Sequence, residues 1–359
     1  MSQMLRRALL VCASLLVGVL VAEGFIAAFV PQDLSGWWMV ESDQGLTVNK
    51  SSGRATHQHG DRVVEYRFAA PHLRAPAPDG AVRVLVVGDS FAFGWLLDDG
   101  STVVGRLQAR VNDTFGEGAF ALLNAATPGW GTADYAAFVE DFGGAIRPDI
   151  VLVLLNADDI GRIPNTDVWN FSGADALARA PGRRSPLKGF VNALPGYGWL
   201  LEHSHAVQLQ RRAVAFPPEA EAVTRPYDEA TARDTARLGV RLFQRLAEWC
   251  RRRSTTLMVT TTGWHRPPYT DASDPTEVFM AGAPALFAEL GVPYQDPSPM
   301  LLQRMAGDVT PYVIPGDDHP NEQGALVTAE ALFPFIESEL ADYCQQSNRC
   351  RADRRSRRD

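Results

Sequence analysis

Three short apolar runs, Arg83–Val87, Ala119–Asn124 and Asp149–Leu155, are each followed by a polar loop and then a change of hydrophobic period. That repetition constrains the fold more than any other feature of the chain. The first and third runs are rich in β-branched residues and almost continuously apolar, as strands covered on both faces must be. A helix from about Thr102 to Val111 follows the first, with Val104, Leu107 and Val111 on one face. After the second come the loop Pro128-Gly129-Trp130-Gly131-Thr132 and a helix from Ala133 to about Ile146. Strands alternating with helices of this length predict an α/β fold built on an open, mostly parallel sheet.

The alternation breaks between Ile163 and Pro226, where prolines, glycines, Arg183-Arg184 and short aromatic segments around Phe190, Tyr197 and Trp199 are scattered. A stretch that long is not a bare loop in a compact domain. It is expected to hold short helices that cap one end of the sheet and shape a cleft. The pattern resumes with a helix from Asp228 to Arg251, whose Leu238, Leu242, Phe243 and Leu246 form an inward stripe. A fourth strand at Thr255–Thr261, a helix near Thr276–Leu290 and a fifth strand at Val292–Tyr294 follow. The last helix runs from about Gln323 to Leu340, with Pro320 at its start, where a missing amide costs nothing. The expectation is a three-layer sandwich around five strands, spanning 81–343, with a helical or irregular insertion at about 163–226.

The first thirty residues stand apart. Arg6 and Arg7 precede an apolar run from Ala8 to Ala22, and Glu23-Gly24 separates it from a second apolar patch, Phe25–Val30. This segment reads either as a signal peptide, with Leu20-Val-Ala22 as its cleavage site, or as an uncleaved single-pass anchor, which is the preferred reading. Both place the rest of the chain outside the cytoplasm. Residues 31–80 read as a tether with a peripheral strand or two, ending in the turn Pro76-Ala-Pro78-Asp-Gly80, with His57 and His59 on an exposed loop. Near the other end, Cys344 and Cys350 are close enough to close a small disulfide loop in an oxidising compartment, ahead of a basic tail, so that 344–359 forms a terminal segment. The net charge of −8 argues against a general nucleic-acid binder. Four cysteines at these spacings make no zinc site, and the loop after the first strand lacks the glycine series that cradles phosphate, so neither metal nor cofactor is expected.

Chemistry concentrates after the first strand. Gly88-Asp89-Ser90-Phe91 lies where a parallel α/β sheet places its active-site loop. A serine becomes a nucleophile only with a general base at hand, and of seven histidines His319 stands out. It follows Gly316-Asp317-Asp318 and precedes the last helix, whereas His72, His203, His205 and His265 lack that combined setting and read as structural or cleft residues.

On these residues the chain resembles the GDSL/SGNH hydrolase superfamily, and within it the membrane-tethered bacterial members with a GDSF-type first block. The resemblance covers about Val82 to Leu340, with the insertion only loosely matched. It implies Ser90 as nucleophile, His319 as base and Asp317 as its orienter, with Asp318 as fallback because Asp317 stands two residues rather than three before the histidine. It implies an oxyanion hole from the amides of Ser90 and Gly129, the latter in Asn124-Ala-Ala-Thr-Pro128-Gly129-Trp-Gly131. The third block departs from the family pattern. Laying Asn156-Ala157-Asp158-Asp159 on glycine, any residue, asparagine, aspartate puts Asp158 where the family has its oxyanion asparagine. A two-residue shift makes Asn156 the donor instead, and Asn156 is preferred with Asp158 as competitor. Asp89 is expected to brace the loop, and Trp95 and Trp130 either line a substrate site or pack around the loops. The implied activity is an extracytoplasmic serine esterase acting on a small ester or an acylated glycan, O-acetyl esters on carbohydrate among them. It would be held by a single pass in a bacterial inner membrane, facing the periplasm or cell exterior. The rivals are an O-acyltransferase of the same fold and a catalytically degraded glycan-binding or assembly protein.

Overall fold

The structure, a computed structural model, describes residues 3–75, 82–156, 158–165, 168–171, 177–180, 190–191, 194–215 and 227–347. Its contacts divide into two units. One falls within residues 1–38, 55–65 and 185–225, the other within 39–54, 66–184 and 226–359. The division runs through both the 31–80 stretch and the insertion.

In chain order the smaller unit begins with helix α1 (Gln3–Phe29), which is long and apolar enough to cross a membrane or to act as a signal. The short strands that follow in the chain are not all in that unit: β1 (Met39–Glu41) and β2 (Thr47–Asn49), both in the larger unit, pair antiparallel, and β3 (Gly53–His59), β4 (Arg62–Ala69) and β5 (Leu73–Arg74, in the larger unit) form a three-stranded sheet in that order. Five strands therefore stand where one or two were expected. His57 and His59 lie on β3 rather than on a loop, and His57 is buried against Trp38 with ring centroids 4.9 Å apart.

The larger unit is organised by β6 (Val82–Gly88), β7 (Phe120–Asn124), β8 (Ile150–Leu155), β11 (Thr256–Thr261) and β12 (Tyr294–Gln295). Between β8 and β11 lie two short paired strands, β9 (Trp169–Asn170) and β10 (Ala178–Arg179). The five-stranded sheet has the order β12–β11–β8–β6–β7, parallel throughout. Every residue of β7 and β8 is buried, which is why those runs carry no polar alternation.

The connecting helices are α2 (Ser90–Phe93), α3 (Val103–Phe115), α4 (Thr132–Ile146), α5 (Tyr197–His203), α6 (His205–Ala215), α7 (Glu229–Arg252), α8 (Pro275–Leu290), α9 (Ser298–Arg304) and α10 (Glu322–Gln346). Alternate strand residues Leu85, Val87, Val151, Val153 and Val259 join one cluster with Phe138, Leu242, Phe243 and Phe287 of α4, α7 and α8. The intervening residues Val84, Val86, Leu152 and Leu154 are buried as well, and α3 packs on β7 and on α10. Covering both faces gives the three-layer α/β sandwich. The expected elements fall within a few residues of the observed ones, apart from the tail of the last helix, which runs on to Gln346. Pro320 does not start that helix. Asn321 is its N-cap, its side-chain oxygen accepting from Gln323 N and Gly324 N at 2.9 Å each, while Pro320 forms an isolated bridge with Val313.

The described helices of the insertion find their partners in the smaller unit. Gln208 Nε2 donates to Ser35 O at 2.6 Å, and Glu202 Oε1 accepts from Thr56 N at 3.2 Å. Cys250 is a buried free thiol, pushed up to about 12 by burial, and Cys12 is free and exposed. Cys350 and the basic tail lie outside the described residues, so the Cys344–Cys350 pairing stays a proposal.

Candidate active site

β6 ends at Gly88 because the chain must turn there in almost no space. A Cβ at Gly88 would sit 2.5 Å from Ala92 Cβ and 2.9 Å from Leu154 O. Asp89 then caps the single turn of α2, with Oδ1 accepting from Phe91 N at 2.9 Å, and Ser90 opens that turn. The segment after the turn is held from below by Arg74, which is fully buried between the Tyr66 and Phe93 rings. Its guanidinium donates to the carbonyls of Phe93, Gly94 and Leu97. Burial lowers the Arg74 pKa, and three carbonyl acceptors with Asp99 alongside offset that desolvation.

Ser90 and His319, 229 residues apart, meet at this turn: Ser90 Oγ lies 2.8 Å from His319 Nε2. On the other side of the ring, Nδ1 is 2.6 Å from Asp317 Oδ1. A carboxylate only accepts, so Nδ1 carries the hydrogen and Nε2 is left to accept from the serine hydroxyl. Asp317 is thus the carboxylate on the ring, and Asp318, at φ 63° and facing a neighbouring cavity, is not. The remaining Asp317 oxygen accepts from Trp95 Nε1 at 3.1 Å, and the Trp95 ring stacks on His319 at 29° and 5.3 Å between centroids. Trp95 therefore holds both members of the pair, a role its position five residues after Ser90 does not announce. Phe91 flanks the imidazole from another side at 5.3 Å. Trp130, by contrast, is a core residue, its indole donating to Thr47 O at 2.6 Å.

A second polar cluster lies beneath the serine. Asp89 and Asp159 are both fully buried, and Arg162 Nη1 stands 3.3 Å from a carboxylate oxygen of each and donates to Trp130 O at 2.9 Å. Asp159 also accepts from Tyr135 Oη at 2.5 Å and from Asn156 N at 2.6 Å. Burial first, and the Asp89 charge second, push Asp159 well above the usual carboxylate range, against the pull of Arg162. Burial together with the same two acids pushes Tyr135 up, and for Arg162 the acids outweigh burial and raise it. Of this cluster the sequence points to Asp89 as a loop brace and to Asp159 only as the last residue of the third block; Arg162 and Tyr135 go unread. The one hint is spacing, since Arg162 follows Asp158 and Asp159 at i+4 and i+3.

The cluster also separates the two candidates for the third block. Asn156 is buried, its Nδ2 donates to Asp89 Oδ2 at 3.0 Å, and its Oδ1 accepts from Thr262 Oγ1 at 2.9 Å. Asp158 is turned outward, with its side chain 75% exposed and paired to Arg162 at 3.5 Å. Gly129 sits in the loop after β7 at φ +82°, a conformation that glycine adopts without strain. That loop is tied to the serine turn by Thr127 N donating to Gly88 O at 3.1 Å. Among the described residues, the backbone amides of Ser90 and Gly129 donate no hydrogen bond. Asn124 ends β7 and donates to Ala92 O at 3.1 Å. Of the other histidines, His265 is buried, which lowers its pKa, and His205 accepts from Gln32 N at 2.9 Å; neither touches the triad.

Beside Phe91 and Asp318 opens a cavity of about 310 Å³, walled by Trp264, Leu301, Leu302, Met305 and Val309. Another of about 220 Å³ lies among Arg74, Thr102 and Gln108, and neither Ser90, His319 nor Asp317 lines it.

No family model matches the sequence, and no curated protein matches it. Among solved structures, the chain is similar to TesA (17% identity, TM-score 0.43, covering 71% of this chain and 98% of that one). It is similar to the acetylxylan esterase Axe2 from Geobacillus stearothermophilus (13%, TM-score 0.42, 72% and 95%). A member of the lipolytic protein G-D-S-L family from Veillonella parvula gives 13%, TM-score 0.40, 70% and 97%.

Proposed function

We propose that this chain is a serine ester hydrolase of the SGNH type, held at a membrane by an uncleaved α1 with its sheet unit outside the cytoplasm. One observation carries the reading: the relay Ser90 Oγ–His319 Nε2, 2.8 Å, and His319 Nδ1–Asp317, 2.6 Å, at the mouth of the first strand loop. In the reaction His319 Nε2 takes the Ser90 proton as Oγ attacks the ester carbonyl, and Asp317 stabilises the imidazolium that forms. The negative charge on the carbonyl oxygen falls to the amides of Ser90 and Gly129 and to Asn156. One hydrogen of Asn156 Nδ2 is taken by Asp89, which leaves the second for the oxyanion. The imidazolium protonates the departing alkoxide. Water, deprotonated by the same His319, then attacks the acyl carbon, and as the bond to Ser90 Oγ breaks the imidazolium returns the proton to that oxygen.

The outward turn of Asp158 supports this reading over a degraded site, because the carboxylate that would oppose an oxyanion pairs with Arg162 at the surface. The cavity beside Phe91, apolar over most of its wall, supports an acyl group longer than acetyl as the natural load. The test is hydrolysis of short and medium acyl esters by Ser90→Ala. Turnover is expected to fall by about 10⁴-fold or more, and undiminished turnover would reject the assignment.

A further inference from the structure

The smaller unit carries a set of large apolar side chains that are exposed among the described residues. Phe190 is 66% exposed, Leu194 43%, Trp199 61% and Leu200 39%, all in the insertion, and Phe25, Phe29 and Val30 at the end of α1 are exposed as well. Large apolar side chains left this exposed within a short stretch of chain point to something else that covers them.

What covers it follows from where the insertion is attached. Glu23 interrupts the apolar face of α1, and a carboxylate at membrane depth is costly unless its oxygens are hydrogen-bonded. Its partners all come from the insertion: Ser204 Oγ at 2.7 Å, His205 N at 2.6 Å and Ala206 N at 3.1 Å, the last two at the start of α6. Gln32 N donates to His205 Nδ1 at 2.9 Å and Arg212 pairs with Asp33 at 3.0 Å, so the attachment continues past the end of α1. At about 1.5 Å per residue Glu23 lies roughly 24 Å beyond Arg7, near the far edge of a hydrocarbon core about 30 Å thick. The segment bonded to Glu23 must reach the same depth. Trp199, one helix away, is the residue type that settles between headgroups and acyl chains.

We infer that Phe190, Leu194, Trp199 and Leu200 form a lipid-contacting surface that lies in the membrane interface beside α1, so that the insertion is a second, peripheral membrane attachment. The inference rests on the uncleaved-anchor reading. It commits to lipid as the occupant, since Glu23 ties the insertion to α1 at the depth where α1 leaves the hydrocarbon core.

The test uses the full chain reconstituted in phosphatidylcholine–phosphatidylglycerol vesicles, with a fluorescent amino acid placed at position 199, at 194, or at the exposed Arg237 of α7 as control. Brominated lipid is expected to quench positions 199 and 194 several-fold more than position 237, with aqueous iodide giving the reverse order. Glu23→Ala is expected to lose most of the lipid quenching at 199 while the thermal transition of the larger unit is unchanged; quenching retained in that variant would overturn the tie. Quenching of 199 by iodide, as at 237, would overturn the inference, and so would shielding from both quenchers, which means a protein partner or second copy covers the patch. Intact mass separates the two failures: loss of the first 22 residues removes the anchor reading, whereas a retained α1 with position 199 in water removes only this inference.

Discussion

Replacing Arg162 by glutamine removes the cation that stands 3.3 Å from both buried acids, Asp89 and Asp159. Breaking a buried ion pair from one side costs about 3–5 kcal/mol, and the 30% exposure of the Arg162 side chain places this site at the low end, about 3 kcal/mol. For a unit of this size that corresponds to a fall in Tm of about 6–12 °C. The loss should depend on pH with a definite sign. Asp159 is raised in the folded state, so folding retains a proton that the unfolded chain releases, and stability falls as pH rises from the ordinary carboxylate range through the folded value. Without Arg162 the folded value rises further and the decline extends to higher pH. Thermal melts at acidic and neutral pH read this directly. Asp159→Asn in the same chain should restore most of the stability, because an amide oxygen can still accept from Tyr135 and Asn156 N. A fall of only 1–2 °C, or no restoration by the second change, would refute the view that two buried carboxylates depend on one arginine.

Three further outcomes follow from the same geometry. Trp95→Phe keeps a ring against His319 but removes the hydrogen bond to Asp317; kcat should fall about tenfold, about 1.5 kcal/mol, with KM unchanged. Asn156→Ala should lower kcat by about 10²–10³, the cost of an oxyanion donor, whereas Asp158→Asn should stay within about twofold as an exposed substitution does; steady-state kinetics on one ester separate the two. Leu302→Trp, filling the cavity beside Phe91, should lower the preference for octanoyl over acetyl esters about tenfold while sparing the acetyl ester. A chain-length series that does not change would remove the cavity from the substrate path.

The sheet was legible because each strand declares itself locally: β6 and β8 are apolar on both faces and stop at a loop. Ser90 and His319 were legible for the same reason, as each sits at the junction of a recognisable element. What the sequence could not show depends on distant pairs. Trp95 reaches Asp317 across 222 residues, and no periodicity relates them. The Asp89–Arg162–Asp159–Tyr135 cluster joins two loops and a helix, so nothing in the local sequence relates its members. Asn156 and Asp158 are two residues apart, and which of them turns inward is set by the tie of Asn156 to Asp89 and Thr262 rather than by anything local. The length of the insertion predicts short helices that cap one end of the sheet; the partners of its described helices, Glu23, Gln32 and Ser35, are polar contacts that hydropathy does not register.

Whether Ser90 is a nucleophile decides the proposed function. Intact-mass and peptide analysis after treatment with an organophosphonate tests this most directly, using the wild-type chain and Ser90→Ala and His319→Ala variants of unchanged melting behaviour. A single adduct on the peptide bearing Ser90, absent from Ser90→Ala and slowed in His319→Ala, is the predicted result. A folded wild-type chain that takes no adduct, or takes it equally well without Ser90, would contradict it.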